Sequence, residues 1–303
     1  MTTLIRVLET ALPVVAALLL GMFCREKQFL TRDGIEALKK VVINLTLPFV
    51  LVNAFATAQY SITTLLQPLL VFLLCCAGLI LGRLLSKVLG LPGKLPAYLC
   101  GGFEAGMLGY ALFVLLFPQD STAEFAILDL GQTLFVFTLY KGLLSGKDNG
   151  KALVRDILVS PIIWAICAGV LLGATGLYKA MGRWSGIIDS LTSFLSAPTG
   201  MIILLTVGYD LVLKEIKLKD TARYIILRLV AMTVLLAILI GLNRTVLGGM
   251  IHEGAALLMF ILPPPYVLPI FADDPTQRTT LSSALSALTL TTIILFAVMT
   301  LVL

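Results

Sequence analysis

Of the 303 residues, 59% are hydrophobic and 13% are charged, whereas a soluble domain carries roughly 25% charged residues. That excludes a soluble globular protein, and apolar runs this long and continuous indicate membrane helices rather than the alternating strands of a barrel. The net charge of +5 fits basic loops facing an anionic leaflet, not a nucleic-acid surface.

In chain order the pattern predicts ten spans, at 4–24, 34–56, 67–90, 95–117, 122–144, 152–174, 185–209, 220–246, 253–272 and 280–303. The first begins like a signal peptide, with Arg6 before an apolar core. The run through Phe23 is long enough to span and more spans follow, so a retained helix is expected. Cys24, Cys75, Cys76, Cys100 and Cys167 fall in or at the ends of apolar runs without CxxC spacing. They read as small buried apolar residues, with neither disulfide nor metal. The connections are short. The longest polar piece, Lys214 to Asp220 (KEIKLKD), is read as a basic loop that prolongs a helix.

Of the 22 Lys and Arg residues, 18 fall on the side of the first loop, and the other four are Arg6, Lys179, Arg183 and Arg244. The positive-inside rule therefore places both termini outside the cell membrane and the odd-numbered loops in the cytoplasm.

Two spans carry sequence that no unbroken helix tolerates. In the ninth, Pro263, Pro264 and Pro265 remove three successive N–H donors and each ring clashes with the carbonyl four residues back. In the fourth, Cys100 to Gly109 is glycine-rich, with Glu104 in its middle. Freed backbone groups are costly in hydrocarbon, so broken helices survive only where protein or a watery cavity covers them. Paired breaks near mid-membrane are a mark of secondary transporters.

The two halves, 1–150 and 151–303, look like one five-span unit used twice. Pro13 matches Pro161 (161 − 13 = 148) and Pro48 matches Pro198 (198 − 48 = 150). Five is odd, so the second copy is inverted, with spans four and nine antiparallel and their breaks crossing.

Several motifs extend this reading. Asn44-Leu45-Thr46-Leu47-Pro48 resembles the N-L-x-L-P of the auxin efflux carrier family, which takes in the plant PIN exporters and bacterial malonate or malate permeases. Ser196-Ala197-Pro198 through Gly208-Tyr209-Asp210-Leu211 is similar to that family's seventh span. Pro263-Pro264-Pro265-Tyr266-Val267-Leu268-Pro269 is similar to its M-P-P-A-x-x-x-P, and Leu288 to Leu295 to its last span. The resemblance runs nearly end to end. It implies an all-α, NhaA-like fold in which spans one, two, six and seven form a dimerising scaffold. Spans three to five and eight to ten would form a transport domain that moves against it, in elevator-type alternating access. It also implies a small organic anion as substrate. Span four departs from the family pattern N-T-G-F-L-G-x-P, with Glu104 in place of the Asn and Ala111 in place of the Pro.

The candidate substrate-binding residues are Asn44, Thr46, Gly106, Gly109, Pro264, Pro265 and Tyr266. Glu104 and Asp129 are candidate coupling groups. An ionised carboxylate at the centre of a span costs at least roughly 2.5–3.5 kcal/mol, so Glu104 is either a proton- or cation-binding group or a protonated group bonded to a neighbouring helix. Asp129 and Gln132 share a helix face. Asp129 belongs either to the polar centre beside Glu104 or to a watered interface. Asn44 and Thr46 either face the cavity or bond another helix. Arg83 and Arg228 are expected to snorkel to the cytoplasmic surface, with contact to an anionic substrate as the alternative.

His252 is the single histidine, which excludes HExxH and leaves it as an outer-loop residue. No GxSxG accompanies it, and no GxxxxGK[ST] occurs for ATP-driven pumping by this chain alone. An enzyme is therefore not expected, nor a cofactor or metal. The expected function is a secondary transporter of a small organic solute, homodimeric, embedded in the lipid bilayer and open to proton coupling. A carrier of a cationic solute bound by Glu104, or a membrane-embedded sensor without flux, are the alternatives.

Overall fold

The computed structural model describes residues 2–145, 155, 158–211, 218–266, 268 and 275–302, and the regular elements among them are helical. Helix α1 is Thr2–Glu26, followed by α2 Arg32–Val41, a π-helical turn Val42–Thr46 and α3 Leu47–Thr57. Helix α4 is Ile62–Val88, capped by the Ser61 side chain. The fourth expected span contains α5 Leu95–Tyr98, a π-helical turn Ala105–Gly109 and α6 Tyr110–Leu116. Next come α7 Thr122–Phe135, a π-helical turn Val136–Tyr140 and α8 Lys141–Ser145. The second half has α9 Pro161–Ala174, the short α10 Leu177–Ala180, α11 Ser185–Ser196 and α12 Thr199–Asp210. It ends with α13 Leu218–Thr245, α14 Glu253–Ile261 and α15 Pro275–Val302.

Among the described residues, five stretches are long and apolar enough to cross a membrane: Leu66–Val88, Thr122–Leu144, Gly182–Asp210, Thr221–Thr245 and Thr279–Val302. The regular structure of the described residues is thus all-helical, with the apolar helices of a membrane protein. The junction between 150 and 151, residues 152–154, 156 and 157 of the sixth expected span, and 267 and 269–272 of the ninth lie outside the described residues. So do residues 214–217 of the basic stretch; Leu218 to Asp220 open α13.

The fourth span is interrupted, earlier than expected, and in the ninth the helix ends before the prolines, its continuation lying outside the described residues. Helix geometry stops at Tyr98 and resumes at Ala105, so Gly106 opens the second half of the span rather than marking the break. The reason is Gly102, whose φ of +76 is open to glycine at no steric cost. In the ninth span α14 stops at Ile261, where Leu262 turns to extended geometry (φ −62, ψ 150) before the three prolines.

The long helices pack in pairs, α1 on α12 and α3 on α9, and glycine lets the backbones touch. A Cβ on Gly21 would fall 2.6 Å from Tyr209 N, and one on Gly208 would fall 2.6 Å from Leu18 Cα. In the other pair, a Cβ on Gly169 would lie 2.7 Å from Phe55 Cβ, and one on Gly173 2.5 Å from Phe55 O. Small residues at such crossings are how helices approach closely in lipid. Gly21 and Gly169 stand at the same offset as Pro13 and Pro161 (169 − 21 = 148). At the cytoplasmic end expected from the loop charges, Arg25 donates to Tyr209 O and Leu211 O. Asp210 pairs there with Arg32 and Lys39, which ties α2 to the end of α12.

Candidate functional site at the crossing of the broken spans

Glu104 joins the two interruptions by both its main chain and its side chain. Its backbone N–H donates to Pro263 O at 2.8 Å, and its carboxylate Oε2 accepts the Tyr266 N–H at 2.7 Å. Its own carbonyl accepts from Gly109 N at 3.1 Å, which starts the helix that follows. A carboxylate is suited to the Tyr266 N–H because a charge-assisted bond to a backbone donor is roughly twice as strong as a neutral one.

The carbonyls that precede each break need donors, and a single buried arginine supplies most of them. Arg228, on α13, is 2% exposed. Its Nη1 donates to Leu99 O at 2.5 Å and to Gly102 O at 3.0 Å, and its Nη2 to Leu262 O at 2.8 Å. One guanidinium therefore holds the ends of both first halves, and its plane also lies 5.1 Å from the Phe103 ring centroid. The expectation that Arg228 snorkels is corrected: bare carbonyls at the two breaks offer it more than the water at the interface. Arg83 is exposed, as snorkelling requires. Ile261 O, one residue before Leu262, accepts from Thr292 Oγ1 on α15 at 2.5 Å.

The helix α7 braces the same point from the other side. Gln132 Oε1 accepts the Phe103 N–H at 3.2 Å, and Gln132 Nε2 donates to Asp129 Oδ1 at 3.0 Å. Asp129 is buried and also accepts from Tyr110 OH at 2.9 Å and Thr133 Oγ1 at 3.3 Å. It thus stands two links from Glu104, in a protein-satisfied network with no need of water.

Of the other expected site residues, Gly106 is half-buried, and a Cβ on it would meet only Leu47 Cδ2 at 3.6 Å. Gly109 is closed in, since a Cβ there would fall 2.6 Å from the Phe125 ring. Pro264 and Pro265 are buried, with Pro265 Cγ 3.2 Å from the Cβ position of Gly102. Tyr266 is half-buried, and its hydroxyl bonds Thr289 Oγ1 at 3.0 Å. Thr46 is buried beside Leu47. Asn44 is exposed and bonds Lys40 O of its own helix at 2.9 Å. His252 caps α14 through Nδ1, which accepts the Ala255 N–H at 2.9 Å.

The reading of the sequence misplaced Arg228 and missed Thr289 and Thr292. The available signal was depth: Arg228 sits seven residues (228 − 221) inside the apolar stretch Thr221–Thr245, far for an interfacial charge. The three π-helical turns were also missed; Val42–Thr46 and Ala105–Gly109 contain candidate site residues, and such turns recur at functional sites. A cavity of about 400 Å³ lies elsewhere, lined by Pro92, Gly93, Leu95, Tyr224, Thr280 and Leu281 among others. Among the described residues its lining is apolar apart from Tyr224, Thr276 and Thr280.

No family model matches the chain. Over 212 residues, 67% of this chain and 67% of the other, it is 26% identical to a protein of Methanothermobacter thermautotrophicus named an uncharacterized transporter. That likeness and the apolar helices support a membrane transporter in general, and point away from an enzyme.

Proposed function

We propose that the chain is a secondary transporter that moves a small organic solute across the cell membrane by alternating access, with Glu104 as its coupling group. The observation that carries this is the junction itself: the interrupted fourth span and the proline-ended helix of the ninth meet at one carboxylate, half-buried and bonded to Tyr266 N. Interrupted helices at such a junction are what carriers use to meet their cargo. The fold would be ten spans in two inverted five-span repeats. The shared offset of Gly21–Gly169 and Pro13–Pro161 supports this, as does the exchange of the two glycine-mediated pairs under that offset. Spans one, two, six and seven would be the scaffold, pairing with a second copy, and the other six the moving domain. The resemblance to the auxin efflux carrier family favours the same elevator-type motion.

The test is flux. Purified protein in liposomes should move solute without ATP under an imposed proton or sodium gradient. Ligands that bind without moving under either gradient would replace the transporter with a sensor.

A further inference from the structure

A second group of ionisable side chains lies at the far end of α14, around the single histidine. His252 caps this helix, its Nδ1 accepting the Ala255 N–H at 2.9 Å. An acceptor needs a free lone pair, so Nδ1 carries no proton and the hydrogen of the neutral ring sits on Nε2. Nε2 faces two carboxylates of the neighbouring segment, Asp120 Oδ2 at 3.2 Å and Glu124 Oε2 at 3.7 Å. One ring therefore joins the start of α14 to the turn between α6 and α7. The Phe113 and Phe117 rings stand edge-on to it, with centroids 6.3 and 5.1 Å away, and limit its rotation.

The other elements around α14 bring few ionisable groups. On α13, Arg244 is paired with Glu253 through both Nε and Nη2. On α6, Tyr110 donates to Asp129 of α7. Residues 61–74, 105–109, 245–251 and 279–302 contain no Asp, Glu, Lys, Arg, Tyr or Cys.

Protonation upsets this arrangement, because imidazolium has two donors and no acceptor. Nδ1–H and the Ala255 N–H would then point at each other, and turning the ring over presents another donor. A positive charge is also unfavourable at a helix N-terminus. The carboxylate side, in contrast, suits the charged ring: Glu124 Oε2 is buried and has no hydrogen bond among the described residues.

We propose that His252 is an acid-operated latch on the side that the loop charges place outside. Neutral, it caps α14 and holds it to the α6–α7 turn; protonated, it gives up the cap and keeps only Asp120 and Glu124. The ring is partly exposed, so protons reach it. The nine residues of α14 lead from this cap to the ninth-span break, where Arg228 holds Leu262 O and Pro263 O accepts the Glu104 N–H. Acid outside thus loosens the helix that carries one side of the crossing. The latch stands apart from the transporter reading, since neither its parts nor its test involves a solute.

With a single histidine, protein made with 15N-histidine and purified through a histidine-free tag gives one pair of ring signals. At about pH 8 they should show Nε2–H with Nδ1 unprotonated. Both nitrogens should become protonated between about pH 8 and pH 5, the window in which imidazole changes charge. Hydrogen exchange in the first turn of α14 then reads the cap. Asparagine caps helices well and has no titrating group, so the ratio of wild-type to His252→Asn exchange at one pH cancels the intrinsic effect of pH. That ratio should rise at least about threefold from pH 8 to pH 5, as loss of an N-cap acceptor implies. An Nδ1–H tautomer at about pH 8 overturns the proposal. So does a ring that stays neutral down to about pH 5, or an exchange ratio that does not change with pH. The ring signals come from wild-type protein and decide the tautomer and its titration whether or not the variant folds.

Discussion

Between α1 and α12 a glycine brings two backbones into contact, whereas at the crossing a glycine leaves side chains merely touching. A Cβ on Gly21 would lie 2.6 Å from Tyr209 N, but one on Gly106 would lie 3.6 Å from Leu47 Cδ2 and one on Gly200 3.8 Å from Ala111 Cβ. The first contact interlocks main chains and cannot slide without separating. The second is ordinary van der Waals contact, with Leu47 Cδ2 and Ala111 Cβ, and no close backbone approach locks the two surfaces. The same residue type thus marks a close joint in one region and a looser seam in the other, the contrast that the proposed alternating access would need.

The largest effect should come from removing the arginine that makes the crossing one body. Arg228→Leu leaves three buried carbonyls without donors, at about 1–3 kcal/mol each. We expect loss of most folded protein in detergent, with Arg228→Lys intermediate. Thermal unfolding followed by size-exclusion chromatography measures this. A fully stable Arg228→Leu would mean that the two breaks do not depend on each other.

On the fixed side, Gly208→Val sets a branched side chain against Leu18 backbone atoms. Overpacking of this kind typically costs about 1–3 kcal/mol, occasionally more, so a clear fall in unfolding temperature is expected. Stability equal to wild type would show that α1 and α12 separate freely, and the contrast between joint and seam would fail.

This contrast was only partly legible in the sequence. Three prolines announce a broken helix because each removes a donor whatever the surroundings. Cys100 to Gly109 announced its break too, but not its position, because only the fold decides which glycine adopts φ of +76. Arg228 was misread for a deeper reason. Its partners are main-chain oxygens of residues 99, 102 and 262, and a carbonyl has no letter in the sequence. Helix pairing through Gly21 and Gly208 was likewise hidden, since a glycine in an apolar span looks the same whether it faces lipid or another backbone. Asp129 and Gln132 were legible as neighbours by their spacing of three. Their link to Phe103 was not, because it depends on where a distant loop passes.

Gln132→Leu tests that link and should have a smaller effect. It leaves the Phe103 N–H and one Asp129 oxygen without their partner. The cost should be about 1–3 kcal/mol, less if water enters. Gln132→Glu keeps an acceptor for the Phe103 N–H but brings a second carboxyl beside Asp129, so it should rescue stability only at low pH, where a proton is shared between them. Equal stability of wild type and Gln132→Leu would place the brace elsewhere.

The smallest change should come from Gly106→Ala, on the seam. Gly106 does not have positive φ, and an added methyl would meet only Leu47 at ordinary contact distance. Alanine is also favoured over glycine in a helix by about 1 kcal/mol, so stability should hold or rise slightly. Transport should stay within about threefold, equivalent to roughly 0.65 kcal/mol in the barrier. A longer side chain acts differently. Gly106→Leu would push into Leu47 and couple the two surfaces, slowing flux by about tenfold or more, near 1.4 kcal/mol, while leaving the unfolding temperature close to wild type. Glycine is then kept at this position for movement, not for packing. If Gly106→Ala instead lowers stability by more than about 1 kcal/mol, the seam is as closely fitted as the joint between α1 and α12, and sliding along it is ruled out.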